Sequence, residues 1–386
     1  MSTARPPFPA STGDHRELAR RRLPRFLFDY VDGAAGDEQT LAANAADWAA
    51  LRLRQRVLVD VAGIDTGREL LGEACALPLV LAPVGLAGML ARRGEVQAAR
   101  AARSVGLPFC LSTVGLCGFA EVRAGSGVAP WFQLYMLRDR GLVTTLLDEL
   151  WAGGCRTLVF TIDLPLPGPR RRDRRHGLGQ AGLRPKLLKL AQLSARPGWV
   201  WDVALRGRPL AFGSLGAHVP AARDLDAFRH WVDAQFDPSV SWADLGWLRA
   251  RWPGRLLLKG LLDAEDARAA LDTGAEALVV SNHGGRQLDG AASTARRLPA
   301  IVEAVGGRCT VLVDGGLRSG IDLFRALALG ADGAMIGRPW AYALAAGGEA
   351  AVRALLGTWQ DELRCTMALT GVTRVDAIDR RHLDLD

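Results

Sequence analysis

One stretch places a titratable base and a fixed cation side by side: Ser281-Asn282-His283-Gly284-Gly285-Arg286-Gln287-Leu288-Asp289-Gly290. Histidine suits proton removal near neutrality, because its unperturbed pKa lies nearest pH 7. Arginine supplies a planar fork that matches a carboxylate. The glycines let the backbone turn sharply and let a flat ligand approach closely. Taken alone, a histidine here is more often structural than catalytic, so the decapeptide leaves both readings open.

The elements around it favour chemistry. Glu276-Ala277-Leu278-Val279-Val280 is a short apolar run that reads as a buried strand, which puts His283 and Arg286 at a strand mouth. Similar runs occur at 77–82, 107–111, 130–134, 156–162, 255–258, 309–313 and 333–336. Amphipathic stretches such as Gly94–Ser104, Asp263–Thr273 and Ser319–Leu329 separate them at helical period. Eight alternating strand–helix units predict an α/β fold, a (β/α)₈ barrel. An open doubly wound sheet is the second reading, since periodicity carries no information on closure. The rhythm breaks only between Asp163 and Arg255, which predicts an insertion after the fourth strand, over residues 164–250. Residues 1–70 read as an N-terminal helical extension to a single barrel spanning 1–386. In it, Asp14 and Glu17 have the spacing of a capping box for a first helix, and a second starts near Pro24 and breaks at Gly33. Gly177-Leu178-Gly179-Gln180-Ala181-Gly182 matches a dinucleotide-binding pattern, but arginines precede it where a strand belongs.

In a barrel, reactive groups gather at the C-terminal ends of the strands. Those ends are Pro83-Val84-Gly85, Ser112-Thr113, Gln133-Leu134-Tyr135, Thr161-Ile162-Asp163, Lys259-Gly260, Ser281-Asn282-His283, Asp314-Gly315-Gly316 and Gly337-Arg338. Every one is polar or glycine-bearing above an apolar strand, a coincidence that packing alone does not explain. The last two, with Arg318 and Arg338, lie where barrels commonly hold phosphate through glycine amides and arginine; solvated surface arginines are the plainer alternative.

Composition narrows the class. The chain has 386 residues, a net charge of +7 and six cysteines without metal-ligand spacing, so no metal is expected. Reduced thiols in a cytoplasmic setting are the simpler reading. Met1–Thr12 has no apolar segment of a secretory signal, and no run of 18 apolar residues suggests a membrane span. Residues 170–210 carry eleven Lys/Arg against Asp173 and Asp202, a local +9 that leaves −2 for the remainder. A nucleic-acid binder would be basic over its fold, so none is expected as a partner. Within that segment Leu183, Leu187, Leu190 and Leu193 form a helical stripe flanked by Arg184, Lys186 and Lys189, then Trp199, Trp201, Arg206 and Arg208. Such a pattern suits a segment lying on an anionic membrane surface, here residues 183–208; an active-site lid is the rival.

Ser281–Asp289, Asp314–Arg318, Trp131-Phe132-Gln133-Leu134-Tyr135 and Phe28-Asp29-Tyr30 with Asp37-Glu38 resemble the FMN-dependent L-2-hydroxy acid dehydrogenases and oxidases. Ala82–Leu86, Ala91–Gln97 and Phe236-Asp237-Pro238-Ser239 look most like the bacterial quinone-linked L-lactate dehydrogenases of that family. The resemblance implies FMN as cofactor, with oxidation of a small 2-hydroxy carboxylate and quinone as acceptor. It implies His283 as the base, Asp163 as its orienting carboxylate, Arg170 and Arg286 as substrate-carboxylate ligands, and Tyr30 and Tyr135 as partners of the carboxylate or hydroxyl. Arg171 and Arg172 adjoin Arg170 and are candidates for the same place. Lys259 would stabilise charge on the reduced cofactor. Pro83, Val84, Gly85, Ser112, Gln133, Thr161 and Ser281 would line the ring, Asp314 the ribityl chain, and Gly316, Arg318, Gly337 and Arg338 the phosphate. A homotetramer and a peripheral place on the cytoplasmic face of the inner membrane are further expectations. A soluble oxygen-using oxidase, a mandelate dehydrogenase and a different FMN barrel are the alternatives.

Overall fold

The computed structural model describes residues 8–180, 182–208, 210, 212–216 and 234–384. Eight parallel strands form its centre: β1 (Leu79–Leu81), β2 (Cys110–Ser112), β3 (Trp131–Leu134), β4 (Thr157–Thr161), β5 (Arg255–Leu261), β6 (Ala277–Val280), β7 (Thr310–Val313) and β8 (Gly333–Ile336). They pair in the order β1-β8-β7-β6-β5-β4-β3-β2. A parallel bridge between Leu81 and Phe109 closes the ring, and Leu81 N–H donates to Pro108 O at 3.0 Å. The open-sheet alternative is thereby excluded. Most strand residues are buried, which is why each strand reads as a continuous apolar run and not as an alternating one.

Three helices precede the barrel: α1 (Thr12–Arg22), α2 (Arg25–Asp32) and α3 (Gln39–Ala50). The expected capping box was placed too late. Ser11 caps α1, with Asp14 N–H donating to its Oγ at 3.1 Å, and Asp14 is the third helical residue. Glu17 instead pairs with Arg20 and Arg21 at 2.7 and 2.8 Å. Helix α3 is pinned to the loop after β6 by a reciprocal pair of amide bonds between buried Asn44 and Asn282, both 2.8 Å. Its Trp48 indole donates to Gly315 O at 2.8 Å, fixing the loop after β7 as well.

Outer helices α4 (Gly94–Ser104), α5 (Phe119–Ser126) and α6 (Arg140–Ala152) follow the first three strands. After β4 the insertion adds α7 (Arg171–Arg175), α8 (Leu183–Ser194) and a wide turn over Val200–Leu205. Four helices complete the ring: α9 (Trp242–Arg251), α10 (Ala264–Leu271), α11 (Thr294–Val305) and α12 (Gly320–Ala328). The long α13 (Arg338–Thr370) follows β8 and is bent at Gly347 and Gly348.

The insertion is rooted at both ends. At its start Arg172 reaches Asp32 at 2.6 Å and also bonds Glu38. At its return Arg140 holds Asp237 at 2.7 Å and Asp244 at 3.1 Å, and Phe236 bridges to Leu137. Between them α8 has no buried residue: Leu183, Leu187 and Leu190 stand 72, 56 and 63 % exposed, while Leu193 packs partly on the core. Trp199 departs from the expected surface stripe. It is buried, and its indole donates to Met89 O at 2.8 Å, so it fastens the segment to the barrel while Trp201 faces outward. Among the described residues no helix is long and apolar enough to cross a membrane.

Candidate active site

The strand ends surround a cavity of about 370 Å³, within the size range of small-molecule and cofactor sites. His283 and Asp163 meet there, with Nδ1 2.8 Å from Asp163 Oδ1. The bond commits Nδ1 and leaves Nε2 as the histidine's reactive nitrogen. His283 sits at φ +55, followed by Gly284 and Gly285 at +64 and +75, so its loop is a left-handed run closed by Asn282 Oδ1 accepting from Gly285 N–H. Burial pushes the Asp163 carboxyl up, but the charge and hydrogen bond of His283, with Lys259 behind, outweigh it and hold it below its ordinary range. Gly260 makes that approach possible: at φ +121, a Cβ there would lie 2.6 Å from Asp163 Cβ.

Two guanidinium groups face the pair. Arg286 lies over the Tyr30 ring at 4.9 Å, and its Nη1 donates to Tyr30 O and Gly33 O at 2.5 and 3.0 Å. It makes no ion pair among the described residues, and burial, reinforced by the nearby Arg170 cation, pushes it below the ordinary arginine value. A desolvated cation in that state favours an incoming anion. Arg170 lines the same cavity, 3.9 Å from Asp173. Its neighbours are committed elsewhere, Arg171 to Asp37 and Arg172 to Asp32 and Glu38, so geometry selects Arg170 from the run. Tyr30 donates its hydroxyl to Gly85 O at 3.3 Å. Tyr135 packs edge-to-face on Phe236 at 5.0 Å, and burial pushes its phenol up, with Asp163 adding to the effect.

Lys259 anchors the opposite wall. Its Nζ lies 2.8 Å from Asp314 Oδ2 and donates to Ser281 Oγ at 2.8 Å. Burial pushes the ammonium down, but Asp314 and Asp163 outweigh it and keep it charged. Pro83, Val84, Gly85, Thr161, Asp314, Gly316, Arg318, Gly337 and Arg338 line the cavity as expected. Ser112, Gln133 and Ser281 instead stand behind its surface, Ser112 Oγ donating to Gln133 Oε1 at 3.1 Å and Ser281 holding Lys259. Among the described residues Gln133 Nε2, Thr161 Oγ1 and Asp314 Oδ1 are buried without a hydrogen-bond partner. Buried orphans of this kind call for an explanation, and a ligand with polar edges supplies one. Arg338 donates to the carbonyls of Val31, Gly33 and Gly284. Burial, with repulsion from Arg286 and Arg318, brings it down to about 10. Arg318 and Arg338, two guanidiniums that repel each other beside the glycine amides at the start of α13, fit a phosphate. Thr161 Oγ1 and Asp314 Oδ1, orphaned in a lining that Lys259 shares, fit a flavin with its ribityl chain, so the residues present accommodate FMN.

The apolar part of the wall was not anticipated. Phe26, Leu27, Leu86, Met89, Phe212 and Phe236 all reach the cavity. Of these, Leu86 and Phe236 had a signal, in the Ala82–Leu86 and Phe236-Asp237-Pro238-Ser239 stretches.

Comparison with known proteins agrees with this geometry. A family model described as FMN-dependent dehydrogenase matches residues 19–385. An L-lactate dehydrogenase of Caulobacter vibrioides (strain NA1000 / CB15N) is 55 % identical over 374 residues, covering 97 % of each chain. One from Bartonella quintana (strain Toulouse) is 50 % identical over 376 residues, again covering 97 % of each. Among solved structures, the monotopic membrane protein (S)-mandelate dehydrogenase superposes with a TM-score of 0.91 at 33 % identity, over 98 % of this chain and all of that one. Mandelate oxidase gives a TM-score of 0.82 at 37 % identity, over 98 % of both. With the family match spanning nearly the whole chain, and a cavity whose residues accommodate the cofactor, this protein belongs to the FMN-dependent dehydrogenase family.

Proposed function

We propose that this enzyme oxidises a small L-2-hydroxy acid, L-lactate to pyruvate, and delivers the electrons to a membrane quinone. The observation that carries the reading is a carboxylate-oriented imidazole and two guanidiniums, Arg170 and Arg286, in one cavity. Arg286 and Arg170 bind the substrate carboxylate, the first as a bidentate fork. Tyr30 and Tyr135 orient the hydroxyl. His283 Nε2 takes the proton released from the hydroxy acid, and Asp163 stabilises the resulting imidazolium. Bound FMN supplies the two-electron acceptor. Lys259 offsets the negative charge that accompanies reduction, while Arg318, Arg338 and the glycine amides retain the phosphate.

Lactate is favoured because the relatives at 50–55 % identity bear that name, while the mandelate enzymes stand at 33–37 %. Mandelate oxidation is the second reading, on the strength of those structures. Initial rates with L-lactate and (S)-mandelate, each with oxygen or a short-chain quinone, test both. We expect L-lactate with quinone to give the highest kcat/KM. A preference for mandelate, or reoxidation by oxygen as fast as by quinone, overturns this assignment.

The exposed leucines of α8, with Trp201 outside and Arg184, Lys186, Arg206 and Arg208 exposed on the flank, support a peripheral place on the cytoplasmic face of the inner membrane. Each such cation is worth about 1 kcal/mol near an anionic leaflet. The lid role coexists with this one, since Lys189 lines the cavity and Gln192 Oε1 accepts from Phe26 N–H at 2.8 Å. Changing Leu183, Leu187, Leu190 and Trp201 together to Ser leaves the inner contacts in place. It should abolish flotation with anionic vesicles; unchanged flotation refutes the docking face. A homotetramer, expected from the family, is checked by light scattering.

A further inference from the structure

Resting on the quinone reading above, we infer that the apolar end of the cavity is the binding site of the quinone ring, entered from the lipid side beneath the insertion. The charged lining residues His283, Arg170, Arg286, Arg318 and Arg338 are engaged, in that reading, with the hydroxy acid or the phosphate. Phe26 and Leu27 of α2, Leu86 and Met89 of the loop after β1, and Phe212 carry no group that a hydroxy acid or a phosphate would use. That apolar wall is continuous with the cofactor wall, because Leu86 and Met89 prolong the same loop as Pro83-Val84-Gly85. A ring lodged there borders the cofactor site without displacing the carboxylate clamp.

The insertion lies against this wall. The turn Ala87–Met89 packs against Val200–Leu205, and Trp199 fastens the two by its 2.8 Å bond to Met89 O. The outer side of that segment is apolar and open, with Trp201 61 % and Leu205 49 % exposed. In α8 the arrangement repeats: Lys189 lines the cavity while Leu187 and Leu190 point away into solvent. Both pieces of the insertion are thus wetted by lipid on one side in the docked enzyme; on the other, Lys189 of α8 reaches the cavity and Val200–Leu205 packs on the turn that carries Met89. A hydrophilic anion gains nothing from that route; a lipid-soluble ring does. The exchange balances: the hydroxy acid gives up two electrons and two protons to become the 2-oxo acid, and both carbonyls of the quinone take up one hydrogen each to give the quinol.

The test uses the full-length, FMN-loaded enzyme in detergent, with a short-chain benzoquinone and, separately, ferricyanide as acceptor. Met89→Trp fills the apolar end and Met89→Leu preserves it. We expect Met89→Trp to raise the KM for the benzoquinone at least tenfold, with Met89→Leu close to wild type. The KM for ferricyanide and the rate of flavin reduction by L-lactate should change less than twofold. An unchanged benzoquinone KM in Met89→Trp overturns the site while leaving the quinone reading intact. A fall in flavin reduction equal to the quinone effect also overturns it, since the passage then serves the hydroxy acid. Wild-type enzyme that turns over with ferricyanide but with no quinone overturns the functional reading and this site together. A second measurement is independent of variant folding. An azido-benzoquinone photolysed on the wild type should label peptides containing Phe26–Leu27 or Leu86–Met89, and excess benzoquinone should suppress the label. Label confined to other peptides counts against the assignment.

Discussion

His283 illustrates how much of the site depends on two atoms. Its Nδ1 is held 2.8 Å from Asp163, so the ring cannot rotate without breaking a bond that also keeps Asp163 ionised. His283→Gln removes the base and retains the cofactor pocket. Turnover with L-lactate should fall by about 10²–10⁴-fold with flavin content unchanged, read by steady-state kinetics and the visible spectrum. Flavin reduction at the wild-type rate would remove His283 from its role. Arg286 does something different. Its guanidinium stacks on Tyr30 and, among the described residues, lacks an acidic partner at bonding distance, so Arg286→Lys keeps a cation but loses the fork. A charged hydrogen bond is worth about 1.5–3 kcal/mol, so the KM for L-lactate should rise roughly 10–100-fold. These residues were legible in the sequence because each occupies a strand end and belongs to a recognisable motif. Phe26, Met89 and Phe212 were not, because an apolar side chain gives the same signal whether it fills a core or lines a cavity.

Helix α2 presents Tyr30 to the cavity on one side and Asp29 and Asp32 to its neighbours on another. Arg16 and Arg172 converge on Asp32, and the Tyr342 hydroxyl donates to it at 2.8 Å. Burial pushes the Asp32 carboxyl up, but Arg16 above all, then Tyr342 and Arg172, outweigh it and bring it to about 2. A carboxyl lowered on folding contributes stability above its ordinary value, and that contribution is lost as pH falls through the folded value. The window therefore runs from about pH 4 down to about pH 2, and the amount is roughly 2 kcal/mol. Acid titration followed by circular dichroism should show that loss in the wild type, while Asp32→Asn has already lost it at neutral pH. Equal acid stability in the two would dismiss the cluster as a source of stability. At this scale the eight strands were readable because parallel strands are buried on both faces. The junction of α2 with α7 was not. Arg171 and Arg172 looked equivalent to Arg170 until the positions of Asp32, Asp37 and Glu38 separated them. Trp199 was misjudged for a related reason, since the fate of an indole depends on a distant carbonyl, here that of Met89.

At the scale of the molecule, the cofactor is part of what holds the cavity together. Arg286 and Arg318 each repel Arg338, and among the described residues the buried Gln133 Nε2, Thr161 Oγ1 and Asp314 Oδ1 have no hydrogen-bond partner. Enzyme stripped of FMN should therefore melt at a lower temperature and recover in proportion to added FMN, by about 2.7 kcal/mol at a hundredfold excess over Kd. FAD at the same concentration should recover less, and acid release from the native enzyme should yield FMN by mass; FAD in that extract would refute the phosphate site. Barrel closure lay beyond the sequence, because which strand pairs with β1 is a fact about distant segments and leaves no mark on local periodicity. The two clamps at the insertion, Arg172 to Asp32 and Arg140 to Asp237, have a consequence for descent. They fix where the excursion leaves and rejoins the barrel, and doubling the length of chain between such fixed points costs only about 0.6 kcal/mol in closure entropy. The excursion is thus free to lengthen, shorten or change its coat of leucine and arginine while the strand ends beneath stay as they are. Selection can thus revise the outer face of the excursion without renegotiating the chemistry of the strand ends.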